Sequence, residues 1–124
     1  MSVTDKVWGT TEALVTTPLF EMHRLVIKPW HRCSMHRHRF KHNTFYVVSG
    51  ELFIDTDLEH LFVTGGGDIV RHMMWPGDVY TLLPGVAHQF RTQSDDCVAL
   101  EMYFTEPLSE DIVRSNVGGP VCID

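Results

Sequence analysis

Short β-favouring runs, separated by turn residues about every ten positions, constrain the fold of this chain most. The clearest runs cover residues 21–28, 44–55, 79–83 and 97–104, and Gly, Pro, Asn and Asp punctuate the stretches between them. Many short strands at this spacing are typical of a β-sandwich or barrel. Helical character is confined to 108–114, where Ser109 is placed to cap a first turn. The sequence therefore predicts one all-β domain over residues 1–124, with about ten strands.

Composition and charge narrow the classes of function. The chain has 124 residues, 44% of them hydrophobic, and a formal charge of −6, which argues against a nucleic-acid partner. No apolar run approaches the roughly 18 residues of a membrane span, and the first residues lack the apolar core of a signal peptide. The three cysteines form no CxxC pair that would indicate a disulfide framework. We expect a cytoplasmic protein that acts on a small molecule.

Histidine is unusually frequent, and its spacing indicates a metal site. Four of the eight histidines fall between residues 31 and 42. His36 and His38 are two apart, so on a strand they would point to the same face and could share one ion at about 2.0–2.2 Å. A third ligand must come from another strand, and His88 is the candidate because the Pro84-Gly85 turn fixes where it emerges.

These residues resemble the two sequence motifs of the cupins, which are double-stranded β-helix (jelly-roll) barrels. The first cupin motif, G-x5-HxH-x3–4-E-x6-G, corresponds to residues 30–50, and the second, G-x5-PxG-x2-H-x3-N, corresponds to residues 77–92. Every spacing is kept. Four positions differ in identity from the motifs, namely Trp30, Asn43, Leu83 and Thr92.

The resemblance implies one divalent transition metal ion, such as Zn, Mn, Fe or Ni, held by the motif histidines. Asn43 occupies the position of the motif glutamate, and its carbonyl oxygen can serve as a fourth ligand. The alternative is the shorter spacing, in which His42 takes that place in a four-histidine site. Strand alternation favours Asn43, which would point inward with Phe45 and Val47.

The flanks resemble a narrower group, the cupin domain of type II phosphomannose isomerases. The similar segments are KVWGTTEAL at 6–14, HRLVIKP at 23–29 and LSEDIVR at 108–114. This resemblance implies aldose–ketose isomerisation of a sugar phosphate, which needs a metal to polarise the carbonyl and a base to move a proton. Because cupins are commonly dimers, it also implies a homodimer.

Candidate substrate-binding and catalytic residues follow from that chemistry. Arg24, Lys28 and Arg39 are the cations expected to meet a phosphate. Glu101 is the expected base, since it is the one carboxylate within the run 97–104. Alternation leaves its direction open, because Glu101 points outward if the more apolar face is the core and inward if the barrel lumen is partly polar.

Two further functions remain open at this point. Three histidines without a carboxylate form the neutral set of a three-histidine non-haem iron dioxygenase. A cupin that binds a small molecule without catalysis is the third hypothesis, because a fold does not by itself supply a function.

Overall fold

The computed structural model describes residues 2–57, 69–105, 117 and 119–121. The predicted helix at 108–114 lies outside these residues. Within the described part of the chain, no helix is long and apolar enough to cross a membrane. The strands found there are β1 (Ser2–Lys6), β2 (Gly9–Thr16), β3 (Phe20–Ile27), β4 (His42–Ser49), β5 (Leu52–Asp57), β6 (Ile69–Met74), β7 (Val79–Leu82), β8 (Ala87–Arg91) and β9 (Cys97–Phe104).

The strands form two antiparallel sheets that face each other. The large sheet has the order β1-β2-β3-β9-β4-β7, and the small sheet has the order β6-β5-β8. The run 44–55 is thus two strands in different sheets, joined at Gly50. Gly50 has φ +78°, and a Cβ there would lie 2.0 Å from the carbonyl oxygen of Asp96. Only glycine fits this corner, which lets the chain cross from one sheet to the other.

The hydrophobic core lies between the sheets, and alternation along each strand decides which side chains enter it. Phe45 and Val47 on β4 are fully buried, and Phe45 packs edge-on against Phe90 of the small sheet at 6.0 Å between ring centroids. The buried cluster comprises Leu25, Ile27, Phe45, Val47, Leu52, Ile54, Met74, Leu82, Phe90, Cys97 and Ala99.

Strand β9 turns its less apolar face inward. Cys97, Ala99 and Glu101 are buried, whereas Val98 and Leu100 on the other face are only partly covered. The interpretation that the more apolar face is the core is therefore wrong for this strand. The inner face carries a carboxylate because this end of the barrel is polar, as described below.

On the small sheet, the buried carboxylate of Asp55 pairs with the exposed guanidinium of Arg71. Asp55 accepts hydrogen bonds from Nε and Nη2 of Arg71 at 2.7 and 3.2 Å. Burial would raise the pKa of Asp55, but these hydrogen bonds and the Arg71 charge, helped by Gln89 and Arg91, hold it below its usual value. A paired buried carboxylate of this kind contributes stability only while it is ionised.

Trp30 holds a backbone conformation that glycine normally provides. Its φ is +59°, in the left-handed region, and it occupies the position of the glycine that opens the first cupin motif. Its side chain is exposed, while its N–H donates to the carbonyl of Gln93 at 2.8 Å. A bulky residue is disfavoured in this conformation, which places local strain on Trp30.

Candidate metal centre

Backbone hydrogen bonds place His36, His38 and His88 side by side. The segment around His36 and His38 is not a regular strand; His36 forms only an isolated bridge with His88. The His36 N–H donates to the His88 carbonyl at 2.9 Å, the reverse bond is 2.8 Å, and the Gly85 N–H donates to the His38 carbonyl at 2.8 Å. These bonds join the two motif segments, so three imidazoles leave neighbouring backbone positions.

The three rings converge on one point. Their centroids are 5.1 Å apart for His36 and His38, 4.7 Å for His36 and His88, and 5.4 Å for His38 and His88. One ring nitrogen of each lies within 4.8 Å of the others, so the three can hold a metal ion. Nitrogens on a tetrahedral ion at about 2.1 Å are about 3.4 Å apart, so a small closing movement would complete the geometry.

Hydrogen bonds leave the right nitrogens free for an ion. Nδ1 of His36 is 2.8 Å from the Ser34 carbonyl, and Nδ1 of His88 is 2.9 Å from the Val86 carbonyl. Since a carbonyl only accepts, each Nδ1 carries the proton and each Nε2 presents a lone pair. Burial lowers the pKa of His88 to about 4 and also lowers the pKa of His38. Neutral imidazole is the form that ligates metals.

Asn43 directs an oxygen at Nε2 of His88, one of these three rings. It is fully buried on β4, and its Nδ2 donates to Oε2 of Glu101 at 3.4 Å and to the Met102 carbonyl at 3.3 Å. Both partners accept, which fixes the amide so that Oδ1 faces Nε2 of His88 at 3.1 Å. Two lone pairs facing each other repel, and a cation between them would remove that repulsion.

A buried nitrogen without a partner supports the same conclusion. Nε2 of His38 makes no hydrogen bond with any of the described residues although it is buried. A buried polar atom in this state costs about 1–3 kcal/mol unless something binds it. The donor set, three imidazole nitrogens and one amide oxygen, suits a divalent first-row transition metal better than magnesium or calcium.

His42, the alternative fourth ligand, lies on the other face of β4. Its ring stacks on Phe104 at 5.0 Å with an interplanar angle of 9°. The grouping of histidines that the described residues offer for a metal does not include it. Alternation along β4 separates His42 from Asn43, as the sequence predicts.

A cavity of about 270 Å³ adjoins the cluster at His36 and is also bordered by Glu101 and Tyr103. Burial raises the pKa of Glu101 to about 7, against the lowering effects of hydrogen bonds from Tyr103 and Asn43 and of the Lys41 and Lys6 charges. Burial also raises the pKa of Tyr103, so its hydroxyl stays protonated and donates. Glu101 is thus the carboxylate that faces both the cavity and Asn43.

The cations predicted to bind phosphate lie elsewhere. Arg24 is exposed on the outer face of β3, and Arg39 lies over the Phe40 ring at 5.2 Å. Lys28 borders a separate recess. Besides His36, the basic side chains that border the cavity are Lys6 and His23, and neither was predicted from the sequence to meet a phosphate. Alternation could have found His23, because it shares the inner face of β3 with Leu25 and Ile27.

Comparison with solved structures identifies the architecture. KdgF from Halomonas sp. superposes with a TM-score of 0.68 over 86% of this chain and 88% of KdgF, at 14% identity. An RmlC-like cupin from Shewanella frigidimarina gives a TM-score of 0.68 at 18% identity, over 85% and 84% of the two chains. This chain has the cupin fold. The predicted all-β jelly-roll barrel is therefore confirmed.

Other comparisons show how far the likeness reaches. CapF of Staphylococcus aureus, a capsular polysaccharide assembling protein, gives a TM-score of 0.70 at 19% identity, over 87% of this chain. This cupin corresponds to only 31% of CapF. No protein-family model and no curated protein sequence matches the chain. At these identities the likeness concerns the fold, and homodimer formation and a cytoplasmic location stay predictions.

The cupin motif tolerates its departure at Thr92. Thr92 is buried, and its Oγ1 donates to the Lys28 carbonyl at 2.5 Å and accepts from the His31 N–H at 3.2 Å. These bonds tie the end of the second motif to the turn that opens the first. The Thr92 hydroxyl thus connects the two motif segments at the position where the motif has asparagine.

Proposed function

We propose that this cupin is a metal-dependent enzyme that acts on a small polar metabolite bound in the cavity beside His36. The observation that carries the proposal is the convergence of the three histidines with Oδ1 of Asn43, including one buried nitrogen without a partner. Zn, Mn, Fe and Ni all suit this donor set. A bound divalent ion would polarise a carbonyl or hydroxyl oxygen of the substrate.

Within this function, we infer an isomerase-like proton transfer between adjacent carbons. Glu101 borders the cavity and can take a proton from one carbon and return it to the next, while a second proton moves between the two oxygens. Tyr103 and Asn43 donate to Glu101 and hold its carboxylate in place. The flanking likeness to phosphomannose isomerase cupins supports a sugar phosphate as the substrate.

The absence of a carboxylate among the four proposed ligands favours a second candidate. Three neutral imidazoles and one neutral amide form the ligand set expected of a three-histidine iron dioxygenase. In that function Glu101 would act only by orienting Asn43, to which it is hydrogen-bonded. The two candidates differ in the metal they need and in whether oxygen is consumed.

Metal analysis of the purified chain tests the proposal first. We expect about one equivalent of a first-row metal in the wild type and only traces in His38→Ala. His42→Ala is the matched control, since His42 is a neighbouring histidine outside the cluster, and it should keep its metal. A wild-type protein that takes up no metal would refute both catalytic candidates and favour a non-catalytic binding cupin.

Isotope exchange then separates the reactions. With aldose phosphates in D₂O, we expect deuterium to enter the carbon next to the carbonyl, and Glu101→Gln to slow this exchange by about 10²-fold or more. Iron content together with substrate-dependent oxygen uptake would instead establish the dioxygenase. Unchanged exchange in Glu101→Gln would remove that residue from the chemistry.

A further inference from the structure

The cavity has a polar side that the proposed metal chemistry does not use. Strand pairing places His23 opposite Glu101 on the inner face of the large sheet, and Ala13 opposite His23. Thr11, two residues before Ala13, therefore lies on the same face, and it borders the cavity with His23 and Lys6. Strands β1, β2 and β3 thus each contribute one hydrogen-bonding side chain to one wall.

Lys6 supplies positive charge to this wall. It is the last residue of β1 and is exposed to solvent. Its charge acts on Glu101, which places the ammonium within electrostatic reach of the cavity. The other nearby carboxylate, Glu21, lies 3.6 Å from Nε2 of His23 and is offset by Lys41 at 3.7 Å.

The charge balance of the cavity favours an anionic ligand. Because the proposed ligands are three neutral imidazoles and a neutral amide, a bound divalent ion would keep its full charge. Glu101 is the one carboxylate that borders the cavity among the described residues, and the ion with Lys6 would exceed its charge by two positive charges. In a half-enclosed site of low dielectric, such an excess attracts an oxyanion strongly.

We propose that Lys6, Thr11 and His23 form a subsite for the phosphate or carboxylate group of a small metabolite whose other end lies toward the metal centre. The subsite deepens the proposed function and rests on it for the orientation of the ligand and for the part of the positive charge that the ion would supply. A cavity of about 270 Å³ is at the small end of ligand pockets, which typically span about 300–1,000 Å³. Trp8, Leu25 and Phe90 form an apolar wall for the carbon skeleton.

Calorimetric titration with inorganic phosphate and with malonate tests the subsite at constant ionic strength. Each anion is added to the metal-loaded chain and to the chelator-treated chain. Lys6→Met should weaken binding of the preferred anion by about tenfold to a hundredfold, since a charge-assisted hydrogen bond is lost. Lys28→Met is the matched control and should change binding by less than about twofold, because Lys28 borders a different recess. Tighter binding of phosphate would identify a phosphate ester as the ligand class, and tighter binding of malonate a carboxylic acid.

The outcomes separate this inference from the proposed function. Lys6-dependent anion binding that persists without metal supports the subsite even if metal analysis fails. If neither phosphate nor malonate binds, the subsite is overturned even if metal is present. The same holds if the preferred anion binds the wild type and Lys6→Met with equal affinity. Thr11→Val is a second test variant that leaves all charges in place. We expect it to weaken anion binding several-fold, and an unchanged affinity would show that Thr11 is not part of the subsite. Circular dichroism and thermal unfolding check that each variant is folded.

Discussion

Replacing Asn43 by aspartate tests the metal centre most directly. The substitution keeps the size of the side chain but replaces its amide donor by a carboxylate oxygen. Nδ2 of Asn43 donates to Oε2 of Glu101 and to the Met102 carbonyl in a fully buried position. In the variant, both acceptors lose their donor, and two carboxylates face each other unless one binds a proton.

The expected loss of stability follows from these contacts. Each buried acceptor left without its donor costs about 1–3 kcal/mol, so Asn43→Asp should lower the free energy of unfolding of the metal-free protein by about 2–6 kcal/mol. For a domain of this length, 1 kcal/mol corresponds to about 4 °C, so the melting temperature should fall by about 8–24 °C. A divalent ion should reverse part of this loss, because the new carboxylate is an anionic ligand and its charge is neutralised.

Thermal unfolding monitored by circular dichroism, with and without saturating Zn²⁺ or Mn²⁺, measures both effects. We expect metal to raise the melting temperature more in Asn43→Asp than in the wild type. The double variant Asn43→Asp/Glu101→Gln should recover stability without metal, because the new amide at position 101 can donate to the new carboxylate. A metal-free variant that melts within about 2 °C of the wild type would refute the buried hydrogen bonds that orient Asn43. If metal raises the melting temperature less in Asn43→Asp than in the wild type, the side-chain oxygen of residue 43 does not face the ion.

Three other predictions concern the frame that holds the site. Because the folded pKa of Asp55 is depressed, its pairing with Arg71 stabilises the protein above the usual aspartate pKa of about 4 and is lost as pH falls below that value; acid unfolding of Asp55→Asn should therefore show a smaller pH dependence below pH 4. Gly50→Ala should destabilise the fold by more than about 2 kcal/mol in urea unfolding, since its Cβ would collide with the Asp96 carbonyl and the positive φ adds strain. Trp30→Gly should leave stability unchanged or raise it by up to about 1 kcal/mol, whereas Trp30→Val should lower it, because a β-branched residue fits φ +59° poorly.

Spacing predicted which three histidines lie together, because the directions of their side chains depend on local geometry. Two residues between Gly85 and His88, and one between His36 and His38, determine which side chains leave the backbone together. Alternation likewise predicted that Asn43 would be buried with Phe45. Spacing does not depend on the identity of the intervening residues. The motif could therefore be recognised although Asn43 stands at the position of its glutamate.

Alternation was ambiguous where both faces of a strand are apolar. On β9, Val98 and Leu100 outweigh Cys97 and Ala99 in hydrophobicity, yet the latter pair is buried. The pairing of β9 with β3 and β4 determines which of its faces points inward. Glu101 lies opposite His23 and Phe45, which are distant from it in the sequence. The same reason explains why Lys6 was missed, since only the pairing of β1 with β2 brings it to the cavity.

The change from glutamate to asparagine moves the negative charge of this cupin site rather than removing it. Asn43 presents a neutral oxygen toward the histidines, and its amide nitrogen binds the carboxylate of Glu101. The charge would therefore lie one hydrogen bond farther from a bound ion, at a residue that also faces the cavity. A carboxylate bound to a metal is a weak base, whereas one that only supports a ligand remains free to exchange protons with a substrate. In the proposed function, Asn43 and Glu101 would divide between them the two roles, ligand and base, that a single ligating glutamate could not perform together.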